Sequence, residues 1–259
     1  MALIFFDIDG TLWDRANIIP GSTKTALRLL KENGHEIFLC SGRTRVFIQN
    51  EELLAQGFDG MLCGCGTDIR YRGQDILYKK LERDLLIRSM RMFYDYDMPV
   101  VMEGRDKLYM DADMIGRDEY GRWLLESMKD DTLPIRGNEN IWEASKFSVL
   151  IEGKKYHEVI EALDDEYDFL VHGAFVMEAV PKGFSKATGI AGVCELLGAD
   201  RSETWAFGDS ANDLEMLDYV NTGIVMGNGS DAAKAHADYV TDDIHADGIY
   251  NACRHFSLI

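Results

Sequence analysis

Short, wholly apolar runs that stop abruptly at polar residues, and alternate with helical stretches, constrain this chain more than any other feature. Leu3-Ile4-Phe5-Phe6 ends at Asp7. A continuous apolar run of that kind reads as a strand covered on both faces, as in parallel sheets. Next comes a helix with Ser22 placed to cap it, Ala26, Leu29 and Leu30 on one face, and Gly34 at its end. Glu36 to Cys40 reads as a second strand, Thr44 to Gln56 as a helix closed by Gly57, and Gly60 to Cys63 as a third strand. The rhythm returns after Pro181, with helix Lys186–Leu197, strand Thr204–Phe207, helix Asn212–Leu217, strand Gly223–Met226 and a short helix from Ser230. Strands joined through single helices build a parallel sheet.

The middle of the chain breaks this pattern. Ile69, Tyr71, Ile76 and Tyr78 flank Arg72-Gly73-Gln74 as in a hairpin. Beyond it the spacing gives a helix from Leu81 to Tyr96, strands near Val100–Glu103 and Lys107–Met110, and a helix near Arg117–Met128. A strand at Phe147–Ile151, a helix at Tyr156–Leu163 and a strand pair at Phe169–His172 and Val176–Val180 complete it. Strands adjacent through tight turns imply an antiparallel or mixed sheet with helices on one face. The expected fold class is therefore α/β: a doubly wound parallel-sheet core, residues 1–80 and 182–259, interrupted by an α+β domain at 81–181.

Charge narrows the partners. Against 27 basic residues stand 45 acidic ones, a formal charge of -18, which repels nucleic acid and anionic membranes. No apolar run approaches the roughly 18–20 residues of a membrane span, and the opening Met1-Ala2-Leu3 lacks the basic start of a signal peptide. The five cysteines are odd in number and form no Cys-x-x-Cys pair, which speaks against zinc and disulfides and for a cytoplasmic protein. Nothing in the sequence sets an oligomeric state.

Two acidic clusters follow apolar strands. Asp7 and Asp9 lie in Asp7-Ile8-Asp9-Gly10-Thr11-Leu12, and Asp209 and Asp213 in Gly208-Asp209-Ser210-Ala211-Asn212-Asp213. Singly, the first could be an acidic loop and the second a helix cap by Asp209 or Ser210. Jointly, they place oxygen donors at carboxyl ends of strands of one sheet, where ligands of open α/β sheets bind. An oxygen-only set suits Mg²⁺. Ser41-Gly42-Arg43, after the second strand, offers a hydroxyl and amides to a phosphate. Lys186 puts a positive charge at a helix start, where the helix dipole disfavours it.

These segments, in this order and at these strand ends, resemble the four motifs of the haloacid dehalogenase superfamily of phosphatases. The roughly 100 residues inserted between the second and third motifs resemble the Cof-type subfamily with its α/β cap, as do Met226-Gly227-Asn228-Gly229 and Ala237-Asp238-Tyr239-Val240-Thr241. Gly64-Cys65-Gly66 departs from the usual Asn-Gly there and bears on substrate preference. The resemblance implies Asp7 as nucleophile, Asp9 as general acid and base that also offers its backbone carbonyl to Mg²⁺, and Asp209 as direct metal ligand. Asp213 and Asn212 would orient the metal or its waters, Ser41 and Gly42 would hold phosphoryl oxygens, and Lys186 would offset charge. Arg43, Lys107 and Lys146 are candidates to read the leaving group. The function implied is a Mg²⁺-dependent phosphatase of a small phosphorylated metabolite. Sugar phosphomutase and a non-catalytic phosphoacceptor module are the alternatives.

Overall fold

The computed structural model describes residues 1–117 and 119–259. The chain divides into two compact units: Met1–Gly42, Gln49–Leu77 and Ser185–Ile259 form the first, and Arg43–Ile48 with Tyr78–Phe184 the second.

The first unit is built on an eight-stranded sheet whose order from one edge is Tyr239–Val240, Thr222–Val225, Thr204–Gly208, Leu3–Phe6, Glu36–Cys40, Gly60–Cys63, Asp68–Tyr71 and Gln74–Tyr78. Pairing is parallel from the first edge to Gly60–Cys63 and turns antiparallel at Asp68–Tyr71. Leu3–Phe6 lies in the middle with every side chain buried, which is why its sequence shows no polar alternation. Register puts Phe6 beside Leu39 on one side and Phe207 on the other, so the residues after these strands emerge along one edge. Phe5 stacks on Phe38 at 4.9 Å and Phe6 on Phe207 at 4.8 Å. Each buried ring contributes roughly 1.5–3 kcal/mol of transfer free energy. Helices Lys186–Leu197 and Leu214–Tyr219 bring Ile190, Val193 and Met216 onto Leu3, Phe5 and Phe38. Helices Gly21–Glu32 and Gly248–His255 pack against each other.

The second unit has a six-stranded sheet ordered Tyr167–His172, Val176–Pro181, Lys146–Leu150, Val100–Glu103, Leu108–Tyr109 and Thr132–Leu133. It is antiparallel except for the last pair. Helices Arg83–Asp95 and Tyr156–Leu163 close one face, with Phe93 of the first packed among Phe147, Met177 and Tyr167.

Two local expectations fail, and a third holds with a 3-10 first turn. Thr44 to Gln56 is not one helix but a 3-10 turn, Arg45–Phe47, and a single α-turn, Glu51–Leu54, capped by the Asn50 side chain. Thr44 donates to Glu103 at 2.9 Å and Val46 packs with Val101, Leu108 and Met110, so tertiary contacts of the second unit draw this segment out of helical register. Ser22 does not cap the first helix, which starts at Gly21 after Pro20 without a side-chain cap. The helix expected at 212–217 begins as a 3-10 turn, Ala211–Asp213, before turning α-helical at Leu214. The helix near Arg117–Met128 spans Glu119–Ser127, and Asp118 lies outside the described residues.

Candidate active site

The central strand delivers Asp7. Its N–H extends the parallel ladder by donating to Phe207 O at 2.9 Å, and its side chain is only 6% exposed. A carboxylate so buried needs a partner. Lys186, from the first turn of the helix Lys186–Leu197, lies 2.5 Å from Asp7 Oδ1 and 2.5 Å from Asp213 Oδ1. That helix starts where it does because Ser185 and Thr188 form a reciprocal capping box. Lys186 thus sits at the positive end of a dipole, held there by two carboxylates.

Asp213 organises the second acidic loop. Its Oδ2 accepts the N–H groups of Asp209 and Ser210 at 2.9 and 3.0 Å, while its Oδ1 takes the ammonium. With both oxygens engaged, Asp213 is suited to hold the loop and Lys186 in place. The capping reading of Ser210 is realised as a box with Asp213, so cap and cluster are the same device. Asp209 presents its own carboxylate to the same cluster. Thr11 Oγ1 donates to its Oδ1 at 3.3 Å, and Gly10 gives it room: a Cβ there would lie 2.4 Å from Asp209 Oδ2, and φ is +82°. Asn212 accepts from Ser210 Oγ at 2.6 Å.

Asp9 is exposed, and its Oδ1 accepts the indole N–H of Trp13 at 2.9 Å. Ser41 and Gly42 are buried just beyond Cys40, with Ser41 N–H on Leu62 O and Ser41 O accepting Cys65 N–H at 3.1 Å. Gly64, Cys65 and Gly66 all take left-handed backbone, at φ 58°, 55° and 81°. Asparagine tolerates that region better than cysteine, so Cys65 is the strained member of the loop. Arg43 opens the 43–48 segment that groups with the second unit. Lys107 is engaged by Asp131 at 3.2 Å and Asp130 O, and Lys146 by Glu178 at 2.5 Å. Sequence reasoning missed Thr11, Trp13 and the clamp made by Asn228, which donates to Gly10 O at 2.7 Å and accepts from Ile244 N.

The electrostatics follow from the count of charges. Burial pushes Asp7 up to about 8 against the pull of Lys186, and the charge of Asp213 adds to the rise. Burial and then Asp213 push Asp209 up to about 6. Burial works to lower Lys186, but Asp213 and Asp7 together hold it well above the usual lysine value. Asp7, Asp209 and Asp213 each present an oxygen within 4.8 Å of the others. Three carboxylates facing one ammonium are short of positive charge, and all the donors are hard oxygens. That set fits a divalent cation such as Mg²⁺.

The description "haloacid dehalogenase-like hydrolase" belongs to the family model that matches residues 4–253. The Bacillus subtilis protein YkrA is 33% identical, over 99% of this chain and 98% of its own. The 5-amino-6-(5-phospho-D-ribitylamino)uracil phosphatase YcsE of the same organism is 28% identical, over 99% of this chain and 96% of its own. Among solved structures, the subclass IIB sugar phosphatase BT4131 superposes with a TM-score of 0.85 at 26% identity, with 100% of both chains covered. Among the described residues, no helix is long and apolar enough to cross a membrane.

Proposed function

The chain belongs to the haloacid dehalogenase-like hydrolases, and from that premise we propose that it is a Mg²⁺-dependent cytoplasmic phosphatase. Its substrate is a small phosphorylated metabolite, a sugar phosphate or related phosphomonoester, cleaved through an aspartyl-phosphate on Asp7. The observation that carries this reading is the buried Lys186 ammonium bridging Asp7 and Asp213 beside Asp209, at the carboxyl ends of adjacent strands. The names of YcsE and BT4131, each a phosphatase of a phosphorylated polyol or sugar compound, support the substrate class.

Asp7 Oδ attacks phosphorus and the ester P–O bond breaks, leaving the phosphoryl group on Asp7. Asp9 gives its proton to the departing alkoxide, then takes one from the water that attacks the phosphoenzyme, which returns Asp7 and frees phosphate. Ser41 and the Gly42 amide hold phosphoryl oxygens, and Lys186 neutralises charge that builds on them and on Asp7. Asp7, Asp209 and the Asp9 carbonyl would hold Mg²⁺, with Asp213 and Asn212 orienting the set, and the ion would supply electrostatic stabilisation of the transferring group. Residues 81–181 serve as the cap that discriminates between leaving groups, with Arg43 contributing to recognition.

Phosphate release across a panel of sugar and polyol phosphates tests this. Turnover is expected with Mg²⁺, none in excess chelator, and a loss of about 10³-fold or more in Asp7→Asn with its circular dichroism unchanged. Full activity in chelator, or more than a few per cent in Asp7→Asn, would overturn it. Label from ¹⁸O-water in the released phosphate separates hydrolysis from transfer to a second sugar hydroxyl.

A further inference from the structure

We propose that Trp13 is a positioning residue for the acid–base group Asp9, through the hydrogen bond from its indole N–H to Asp9 Oδ1. The proposal rests on the hydrolytic reading above and assigns a role to a side chain outside the acidic clusters.

A buried indole needs an acceptor for its N–H. Trp142 in the second unit meets that need with a backbone carbonyl, Ile135 O, at 3.0 Å. Trp13, only 3% exposed, uses the carboxylate of Asp9 at 2.9 Å instead. The backbone makes this possible. Trp13 N–H donates to Ile8 O at 3.2 Å and Gly10 N–H donates to Trp13 O at 2.9 Å, so the loop closes on itself and sets residue 13 beside residue 9. Gly10, at φ +82°, supplies the reversal.

The chemical consequence concerns the orientation of the carboxyl group. Asp9 is exposed, and the plane of an exposed carboxyl is set by the hydrogen bonds its oxygens make. One oxygen held at 2.9 Å by a ring that is itself buried restricts that plane. The indole N–H only donates, so it meets Oδ1 as an acceptor, and the acid proton is carried on Oδ2. The proton destined for the leaving oxygen, and later the site that receives one from water, are thereby set to one atom. Acid catalysis falls off quickly when its donor is misplaced.

The leaving-group dependence of kcat/KM tests this in the full chain with Mg²⁺. An alkoxide must be protonated as it leaves, whereas p-nitrophenolate leaves with little help. Trp13→Phe is expected to lower kcat/KM for benzyl phosphate about tenfold or more, a part of the roughly 10²–10⁴ that general acid catalysis supplies, and to lower that for p-nitrophenyl phosphate several-fold less. The difference should vanish when Asp9→Asn is already present. If Trp13→Phe does not fold, 3-benzothienylalanine at position 13 keeps the ring outline while exchanging the N–H for sulfur, and the same two ratios are read. Equal losses on both esters, with either replacement, mean that the bond serves only the stability of the loop and overturn the proposal. Hydrolysis of neither ester by the wild type, or of both by Asp7→Asn, instead brings down the phosphatase reading itself and the proposal with it.

Discussion

Gly10 shows how a single residue without a side chain shapes the acidic site. Its backbone occupies the left-handed region, and a Cβ would strike Asp209 Oδ2 at 2.4 Å. Gly10→Ala therefore displaces the Asp209 carboxylate besides straining the turn, which costs of order 1–3 kcal/mol. We expect the Mg²⁺ concentration for half-maximal activity to rise by about tenfold or more, read by titrating the metal against phosphate release; an unchanged midpoint would show that Asp209 is free to rearrange. Asp7, Asp9, Asp209, Asp213 and Lys186 could be picked out in the sequence because their positions follow from backbone rules, at the ends of apolar strands or the start of a helix. Trp13 and Asn228 could not. Their roles depend on where a side chain meets another loop, and Asn228 reaches Gly10 from the far end of the chain. Cys65 drew attention only by contrast with a family pattern, and its left-handed backbone gives that contrast a physical meaning.

At the level of elements, strands were easier to read than the pieces between them. Leu3–Phe6 and Glu36–Cys40 are buried at every position and show it in composition. The stretch from Thr44 to Gln56 has helical spacing but is shaped by partners far away in sequence, chiefly Glu103 on the second sheet. Glu103 belongs to a buried charged row that no periodicity announces. Lys146 lies 2.5 Å from Glu178 and 3.7 Å from Glu103, and Ser148 donates to Glu103 at 2.5 Å. Burial opposes the charge on Glu178, yet Lys146, aided by His172, holds it down to about 2. Its contribution to stability is thus complete above the ordinary value of 4.5 and fades as pH falls toward 2. Burial raises Glu103. Lys146→Met removes the ammonium that faces Glu103 and Glu178, and we expect a loss of about 3–5 kcal/mol in urea unfolding at neutral pH. Adding Glu103→Gln and Glu178→Gln should restore part of it. A single substitution that costs under about 0.5 kcal/mol would mean that water replaces the ammonium.

For the whole molecule the governing fact is a formal charge of -18 in a protein proposed to bind a phosphate ester. Near the site, Lys186, backbone amides and a divalent cation offset the local negative potential, but these act over a few ångströms. The remaining carboxylates act over the Debye length, roughly 30 Å at 0.01 M salt and 8 Å at 0.15 M. A doubly charged phosphate ester approaching at low ionic strength therefore meets net repulsion before it meets the site. Screening should help it arrive, the reverse of a cationic funnel, where salt slows capture. With Mg²⁺ held saturating, kcat/KM is expected to rise several-fold between about 0.01 and 0.15 M sodium chloride, through KM more than through kcat, since screening acts on capture and leaves the buried contacts of Lys186 nearly untouched. A fall over the same range would mean that positive residues around the entrance dominate the long-range field despite the net charge.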